Sequence, residues 1–208
     1  MKELELNEIN FVKFPEDQYY KQVTDKKQIV LHHTVSSKVQ PTIDSWISDP
    51  RHISTHFIVD RDGKVYQLYN TKYWSYHLGV DNKKLEQESI GIELINWGWL
   101  QKKKDYFVNC YGSLIPNDEV VKYEYGFKGY NYFHKYTDEQ IESTGRLLLL
   151  LCNKWGISKE FDENIFKINS DAFKSVKKIF THNSYRSDKT DIHPQIEIIK
   201  MLKNLNKY

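Results

Sequence analysis

Short apolar runs alternate with amphipathic stretches along this chain, and the alternation predicts a mixed α/β fold. Three β-branched runs, at residues 28–31, 89–96 and 176–180, predict buried strands. Residues 54–69 form two further apolar runs separated by Asp60-Arg61-Asp62-Gly63, which predicts a β-hairpin. Polar turns bound each run, so the strands belong to separate elements of one sheet.

Apolar residues at helical spacing predict three helices between and after these strands. The first follows Pro41 and places Ile43, Trp46 and Ile47 on one face. The second opens with a capping box at residues 137–140 and ends at Gly156, and the third opens at Pro194. Strands that alternate with helices indicate a single mixed central β-sheet flanked by helices, which is an α/β fold.

The order of the segments predicts one domain with two additions. Residues 1–27 are charged and aromatic by turns, with Pro15 as a breaker, and are expected to form an N-terminal arm. The domain then spans residues 28–208. Within it, residues 97–136 are dense in aromatic residues and glycine, and are expected to form an aromatic-rich insertion of turns and short hairpins.

Composition excludes several classes of partner. The 208 residues include 30 basic and 28 acidic side chains, so the net charge of +2 predicts neither nucleic-acid nor membrane binding. Cys110 and Cys152 cannot make a disulfide framework. The N-terminus lacks the apolar core of a signal peptide, and no long apolar span follows. We therefore expect cytoplasmic synthesis and a monomer.

Two histidines fall where predicted strands end. His32 closes the first strand, His182 follows the third, and Asp191 lies nine residues after His182. Sites in α/β sheets gather at the carboxyl ends of strands. Imidazole and carboxylate are zinc ligands, and three of them with an open fourth position are typical of catalytic zinc. Taken alone, the 182–191 segment also fits a polar surface loop, but the second histidine favours a metal site.

Glu93 is the second anomaly, because it lies in the middle of an apolar run. Burying an unpaired carboxylate costs several kcal/mol unless the group is partnered or protonated. The alternative is an edge strand on which Glu93 faces solvent.

Four segments of the chain carry a family resemblance. They are Ile-Val-Leu-His-His-Thr (29–34), Thr-His-Phe-Ile-Val-Asp-Arg-Asp-Gly-Lys-Val-Tyr-Gln (55–67), Ser-Ile-Gly-Ile-Glu-Leu (89–94), and His182 followed by Lys189-Thr190-Asp191. In this order they resemble the zinc-dependent N-acetylmuramoyl-L-alanine amidases of the type 2 family, whose fold is that of the peptidoglycan recognition proteins. The resemblance covers roughly residues 28–96 and 137–205.

The resemblance implies an activity and a setting. The activity is zinc-dependent hydrolysis of the amide between N-acetylmuramic acid and L-alanine in peptidoglycan. The setting is either cell-wall lysis, by a phage endolysin or an exported effector, or muropeptide recycling. Two other functions stay open: a recognition module that binds peptidoglycan without cutting it, and a zinc hydrolase of another amide.

The resemblance also implies a role for each matching residue. The zinc ligands correspond to His32, His182 and Asp191. Glu93 corresponds to the catalytic base, and Lys189 to the residue that stabilises the developing oxyanion.

One loop is similar to the family's Trp-His-Ala-Gly segment, which lines the substrate groove. It implies substrate-binding roles for His77 and Trp74. The aromatic-rich insertion at 97–136 lies outside the compact family pattern, and two further features depart from the family's motifs. Thr55 stands where some members have a catalytic tyrosine, and Ile192-His193-Pro194 replaces a Pro-Gly-Pro sequence. Thr55 at that position is expected in the branch that uses Glu93 as its base.

The remaining histidines have simpler interpretations. His33 and His56 are expected to be structural, and His52 and His134 to lie at the surface. A hydrogen bond from His193 to Asp191 is the less favoured alternative to a structural role for His193.

Overall fold

The computed structural model describes all residues from 1 to 208. Its strands are β1 (Ile9–Phe11), β2 (Gln28–His33), β3 (Phe57–Val59), β4 (Val65–Gln67), β5 (Ser89–Leu94), β6 (Gln101–Lys102), β7 (Phe107–Val108), β8 (Leu114–Ile115), β9 (Val120–Phe127), β10 (Tyr130–His134) and β11 (Lys178–Thr181). Its α-helices are α1 (Val39–Ile47), α2 (Lys83–Glu88), α3 (Asp138–Trp155), α4 (Ser170–Phe173) and α5 (Ile196–Asn204).

Six strands form the central sheet, in the order β1-β4-β3-β5-β2-β11. The predicted hairpin is β3 and β4, which pair antiparallel, whereas β3, β5, β2 and β11 run parallel to one another. The prediction of a mixed central sheet is confirmed. β5 lies between β3 and β2, so the alternative that placed Glu93 on an edge strand is wrong.

Helices cover both faces of this sheet. Successive side chains of β3 alternate between two apolar clusters: Phe57 and Val59 join the larger one with α3 and α5, and Ile58 joins the smaller one with α1. Helix α3 begins and ends as its caps predict. The Thr137 side chain accepts a hydrogen bond from the Gln140 amide, and Gly156 takes the left-handed conformation at φ +63°.

The first 27 residues lie against the domain and also contribute to it. Ile9 to Phe11 pair with β4 as a parallel edge strand, which the sequence patterns did not predict. Leu4 and Ile9 are buried in the larger apolar cluster, so the start of the chain packs into the core.

Residues 97–136 form two small sheets beside the carboxyl ends of the central strands. One has three strands, β6 to β8, and the other is the hairpin of β9 and β10. The expectation that His134 lies at the surface is wrong. Its side chain is buried, and its ring contacts the Glu119 carboxylate and accepts the Trp97 amide hydrogen. No helix combines the length and apolar content needed to cross a bilayer.

Candidate active site

A cleft of about 550 Å³ opens at the carboxyl ends of β2, β5 and β11. The sheet topology alone brings these ends together, because β2 lies between β5 and β11 and all three run parallel. Six of the seven side chains singled out from the sequence line this cleft: His32, His77, Glu93, His182, Lys189 and Asp191.

Three of these side chains converge on one point. His32 Nδ1 lies 3.1 Å from His182 Nδ1 and 3.2 Å from Asp191 Oδ2. His182 Nδ1 lies 2.9 Å from the same carboxylate oxygen. Ligands bonded at about 2.0–2.1 Å to one tetrahedral ion are about 3.3 Å apart, so the triangle has the size of a metal site. All three residues are buried, and no other group of three His, Cys, Asp or Glu side chains has this arrangement.

The protonation of the histidines follows from their outer contacts. His182 Nε2–H donates to the Leu78 carbonyl oxygen at 2.8 Å, so Nδ1 of the neutral ring carries a lone pair. The Ser89 hydroxyl donates to the Glu86 carbonyl oxygen and therefore accepts from His77 Nε2–H at 2.8 Å. His77 Nδ1 is then an acceptor, and His32 Nε2–H donates to it at 3.0 Å.

This assignment leaves three acceptors facing one another, two imidazole nitrogens and a carboxylate oxygen. Such a group is repulsive unless a cation lies between its members. Burial, followed by the neighbouring His182, lowers the pKa of His32 to about 4, so the ring is in the neutral form that a metal ligand requires. The residues therefore fit a metal ion.

Glu93 lies beside the triangle because of strand register. It pairs with His32 across β5 and β2, and paired residues on neighbouring strands project from the same face. Its Oε2 is buried without a hydrogen-bond partner. Burial, with Asp191 as a second cause, raises the pKa of Glu93 well above its ordinary value, whereas Lys189 acts in the opposite direction. A carboxyl group with a raised pKa takes up a proton more readily than a free one, which suits a general base.

Gly91 makes room for His77 at the cleft wall. A Cβ at this position would lie 2.7 Å from Thr55 Cγ2 and 3.1 Å from His77 Nδ1. The glycine of the Ile-Gly-Ile-Glu segment is therefore required sterically, so that His77 can reach His32.

Glu86 is a residue of the site that the sequence patterns did not reveal. Its buried carboxylate accepts the backbone N–H groups of His77, Leu78 and Gly79 at 2.9–3.2 Å. The same loop presents the Leu78 carbonyl to His182 and the His77 ring to His32. Glu86 thus orients both histidines through one loop.

Replacing Glu86 with alanine is expected to lower the free energy of unfolding by roughly 3 kcal/mol, because three backbone N–H donors, of which those of His77 and Leu78 are buried, lose a charged acceptor. Glu86→Gln keeps one acceptor oxygen and should lose less. Calorimetric unfolding measures both effects, and Glu142→Ala on the exposed face of α3 is the matched control. An unfolding temperature for Glu86→Ala equal to that of the control would contradict this role.

Asn183 holds Asp191, the third candidate ligand, in place, and the sequence patterns did not reveal this residue either. Its buried side-chain amide donates to the Asp191 carbonyl at 2.9 Å and the Ile192 carbonyl at 3.2 Å. Asn183, the second residue of the loop from His182 to Asp191, therefore links the start of this loop to its end. The only available signal was the position of Asn183 directly after a candidate ligand.

The structure corrects the expectation for Trp74 and gives the contacts of two further histidines. Trp74, expected in the substrate groove, does not line the cleft: its side chain is 1% exposed and stacks on Tyr20 at 4.1 Å. Its ring packs against the N-terminal segment instead. His193 makes no bond to Asp191, and contacts the Tyr123 hydroxyl and the His134 carbonyl. His56 is buried and structural, as expected, between the Tyr73 carbonyl and the Gly91 amide.

Comparisons with known proteins agree with this fold. A family model described as N-acetylmuramoyl-L-alanine amidase matches residues 22–194. The structure of PlyL has a TM-score of 0.58 at 14% identity, covering 95% of this chain and 96% of that chain. The N-acetylmuramoyl-L-alanine amidase LysC from Clostridium intestinale URNW has a TM-score of 0.56 at 16% identity, covering 95% and 97%.

A selenomethionine AmpD derivative has a TM-score of 0.52 at 15% identity, covering 95% of this chain and 96% of that chain. At such identities these structures establish the fold alone. No curated protein matches the sequence.

Proposed function

This chain belongs to the N-acetylmuramoyl-L-alanine amidase family, and from that premise we propose how its cleft hydrolyses the amide between N-acetylmuramic acid and L-alanine in peptidoglycan. The observation that carries the proposal is the convergence of His32, His182 and Asp191 beside Glu93. The chain is an amidase, and the residue roles and the identity of the metal are our proposal.

We assign zinc to the triangle, held by two imidazole nitrogens and one carboxylate oxygen. This donor set suits zinc, and three protein ligands leave a position open on the cleft side. When bound, zinc would polarise the lactyl carbonyl and lower the pKa of a water molecule to roughly 7.

Glu93 is the proposed general base. Its carboxylate takes a proton from the attacking water as the new C–O bond forms, and then gives that proton to the L-alanine nitrogen as the C–N bond breaks. Its Oε2 has no hydrogen-bond partner within the protein, so no other group competes for the proton that it takes up. The products are a lactyl carboxylate on the sugar and a stem peptide with a free amine.

Lys189 is the proposed partner of the negative charge that develops on the carbonyl oxygen. It is half-buried in the cleft wall, two residues before Asp191. Removing one such donor typically lowers kcat by about 10²–10³-fold. His77 is proposed to line the substrate groove while its Nδ1 fixes the orientation of His32.

The experiment that tests this function is product analysis of digested cell walls. We expect new N-terminal alanine amines, intact glycan strands and no rise in reducing sugar ends. A chelator should abolish the release and added zinc should restore it.

Each rival function predicts a different product. A recognition module would release nothing, and a glycosidase, which normally uses two carboxylates and no metal, would create reducing ends. A hydrolase of another amide would cut within the stem peptide. Any of these three results would overturn the proposal.

A further inference from the structure

A second groove, of about 300 Å³, lies beside the catalytic cleft. We call it the side groove; its aromatic walls are Trp46, Trp97 and Tyr111. Thr34, Val35 and Trp46 line both the side groove and the catalytic cleft, so the two spaces are adjacent. None of the roles proposed for the amidase reaction uses the side groove.

The lining of the side groove has a distinct chemistry. None of its nine residues carries a charge, and five of them have hydroxyl groups: Thr34, Ser36, Thr42, Ser45 and Tyr111. The cations of the catalytic cleft, Lys128, Arg186 and Lys189, do not line the side groove. Aromatic faces combined with hydroxyl groups suit a ligand that is uncharged, rich in hydroxyls and apolar on its ring faces.

Contacts within the protein position two of the three aromatic walls, Trp97 and Tyr111. The Trp97 amide donates to the buried His134 ring at 3.2 Å, and the adjacent Asn96 side chain donates to the His134 carbonyl at 2.9 Å. The Tyr111 ring meets Trp97 edge to face at 5.8 Å. A rigid aromatic surface loses little conformational entropy when a ligand binds.

The junction between the two spaces is strained. Val35 is a β-branched residue at φ +53°, a conformation that such residues rarely adopt, and its side chain is 39% exposed. A strained, exposed valine offers the fold no core packing. Strain of this kind is concentrated where ligands bind.

We propose that the side groove binds the glycan strand of peptidoglycan next to the sugar whose peptide is removed. This inference rests on the proposed function and adds a preference for polymeric glycan over soluble muramoyl peptides. The scissile amide joins an uncharged sugar to a peptide that bears carboxylates. The uncharged side groove fits the sugar side, and the cations of the cleft fit the peptide side.

The order of the strands in the sheet indicates where the glycan side and the peptide side of a bound substrate would lie. Trp97 follows β5, Arg186 and Lys189 follow β11, and β2 with His32 lies between these strands. The side groove and the cationic loop therefore leave the sheet on opposite sides of the strand that carries His32. A substrate lying across β2 would place its glycan over Trp97 and its stem peptide near the loop.

The test compares two substrates, purified sacculi and the soluble single-sugar compound muramoyl dipeptide. Tyr111→Ala and Trp97→Ala should lower kcat/KM on sacculi about tenfold, or about 1.4 kcal/mol, and leave turnover of muramoyl dipeptide within about twofold. Tyr111 is 74% exposed, so its removal leaves the core intact. Tyr125→Ala is the matched control, because Tyr125 lies in the same insertion, is 94% exposed and does not line the groove.

A binding measurement makes the result independent of catalysis. Peptide-free glycan strands should bind the inactive Glu93→Gln protein and change its tryptophan fluorescence, and adding Tyr111→Ala should weaken that binding about tenfold. Equal losses on both substrates, or glycan binding unaffected by Tyr111→Ala, would overturn the inference. If the wild type cuts neither substrate, the proposed function fails, and glycan binding alone decides for or against the side groove.

Discussion

Replacing Glu93 with glutamine is expected to lower kcat by about 10²–10⁴-fold, the range typical of losing a general base. The amide has nearly the same shape as the carboxyl group but cannot accept the proton of the attacking water. Strand pairing with His32 fixes the side chain beside the three proposed metal ligands, so the substitution should change chemistry and leave geometry intact. Zinc content should remain one per chain by elemental analysis.

Stability provides a second readout for the same variant. Glu93 Oε2 is buried without a partner, and burial raises the pKa of this carboxyl well above its ordinary value. Removing a group that can carry an unpaired charge should leave the unfolding temperature unchanged or higher. Thr55→Val, in the same cleft wall, is the control and should retain activity within a few-fold. Glu93→Gln activity within a few-fold of the wild type would assign Glu93 a structural role.

The parts of the fold that the sequence predicted are those with a local signal. β2 and β5 are continuous apolar runs because both of their faces are buried, and α3 carries its start and stop in Thr137 and Gly156. The candidate site could be predicted from the sequence for a related reason. His32 and His182 lie at the ends of parallel neighbouring strands, so the sheet brings them together once its topology is known.

The missed features depend on pairings between distant segments. β1 exists because β4 offers a free edge, and Glu86 is functional only because the His77–Gly79 loop folds over it. The motif around Trp74 does not determine which way its side chain points. In the structure the ring packs on Tyr20 and does not face the cleft. His134 is a polar residue that is nevertheless buried, because its ring forms a hydrogen bond with the Glu119 carboxylate. No periodicity encodes these contacts.

Substituting any one of the three converging residues should remove zinc and activity together. His32→Ala and His182→Ala each delete a nitrogen ligand, and Asp191→Asn keeps the size of the side chain but removes its charge. Three protein ligands are the minimum for this type of site, so each change should weaken zinc binding by more than about 100-fold. Activity should fall with zinc content, and excess zinc should restore only part of it.

His77→Ala distinguishes a ligand from a residue that orients one. His77 Nδ1 accepts the His32 Nε2–H at 3.0 Å and is not one of the three proposed ligand atoms, so its loss should cost roughly 10–100-fold in zinc affinity and be rescued by added zinc. His52→Ala, outside the cleft, should bind zinc as the wild type does. The measurement is elemental analysis after dialysis against a weak chelator, paired with release of alanine amines from cell walls. Stoichiometric zinc in all three variants, His32→Ala, His182→Ala and Asp191→Asn, would show that these residues do not bind the metal.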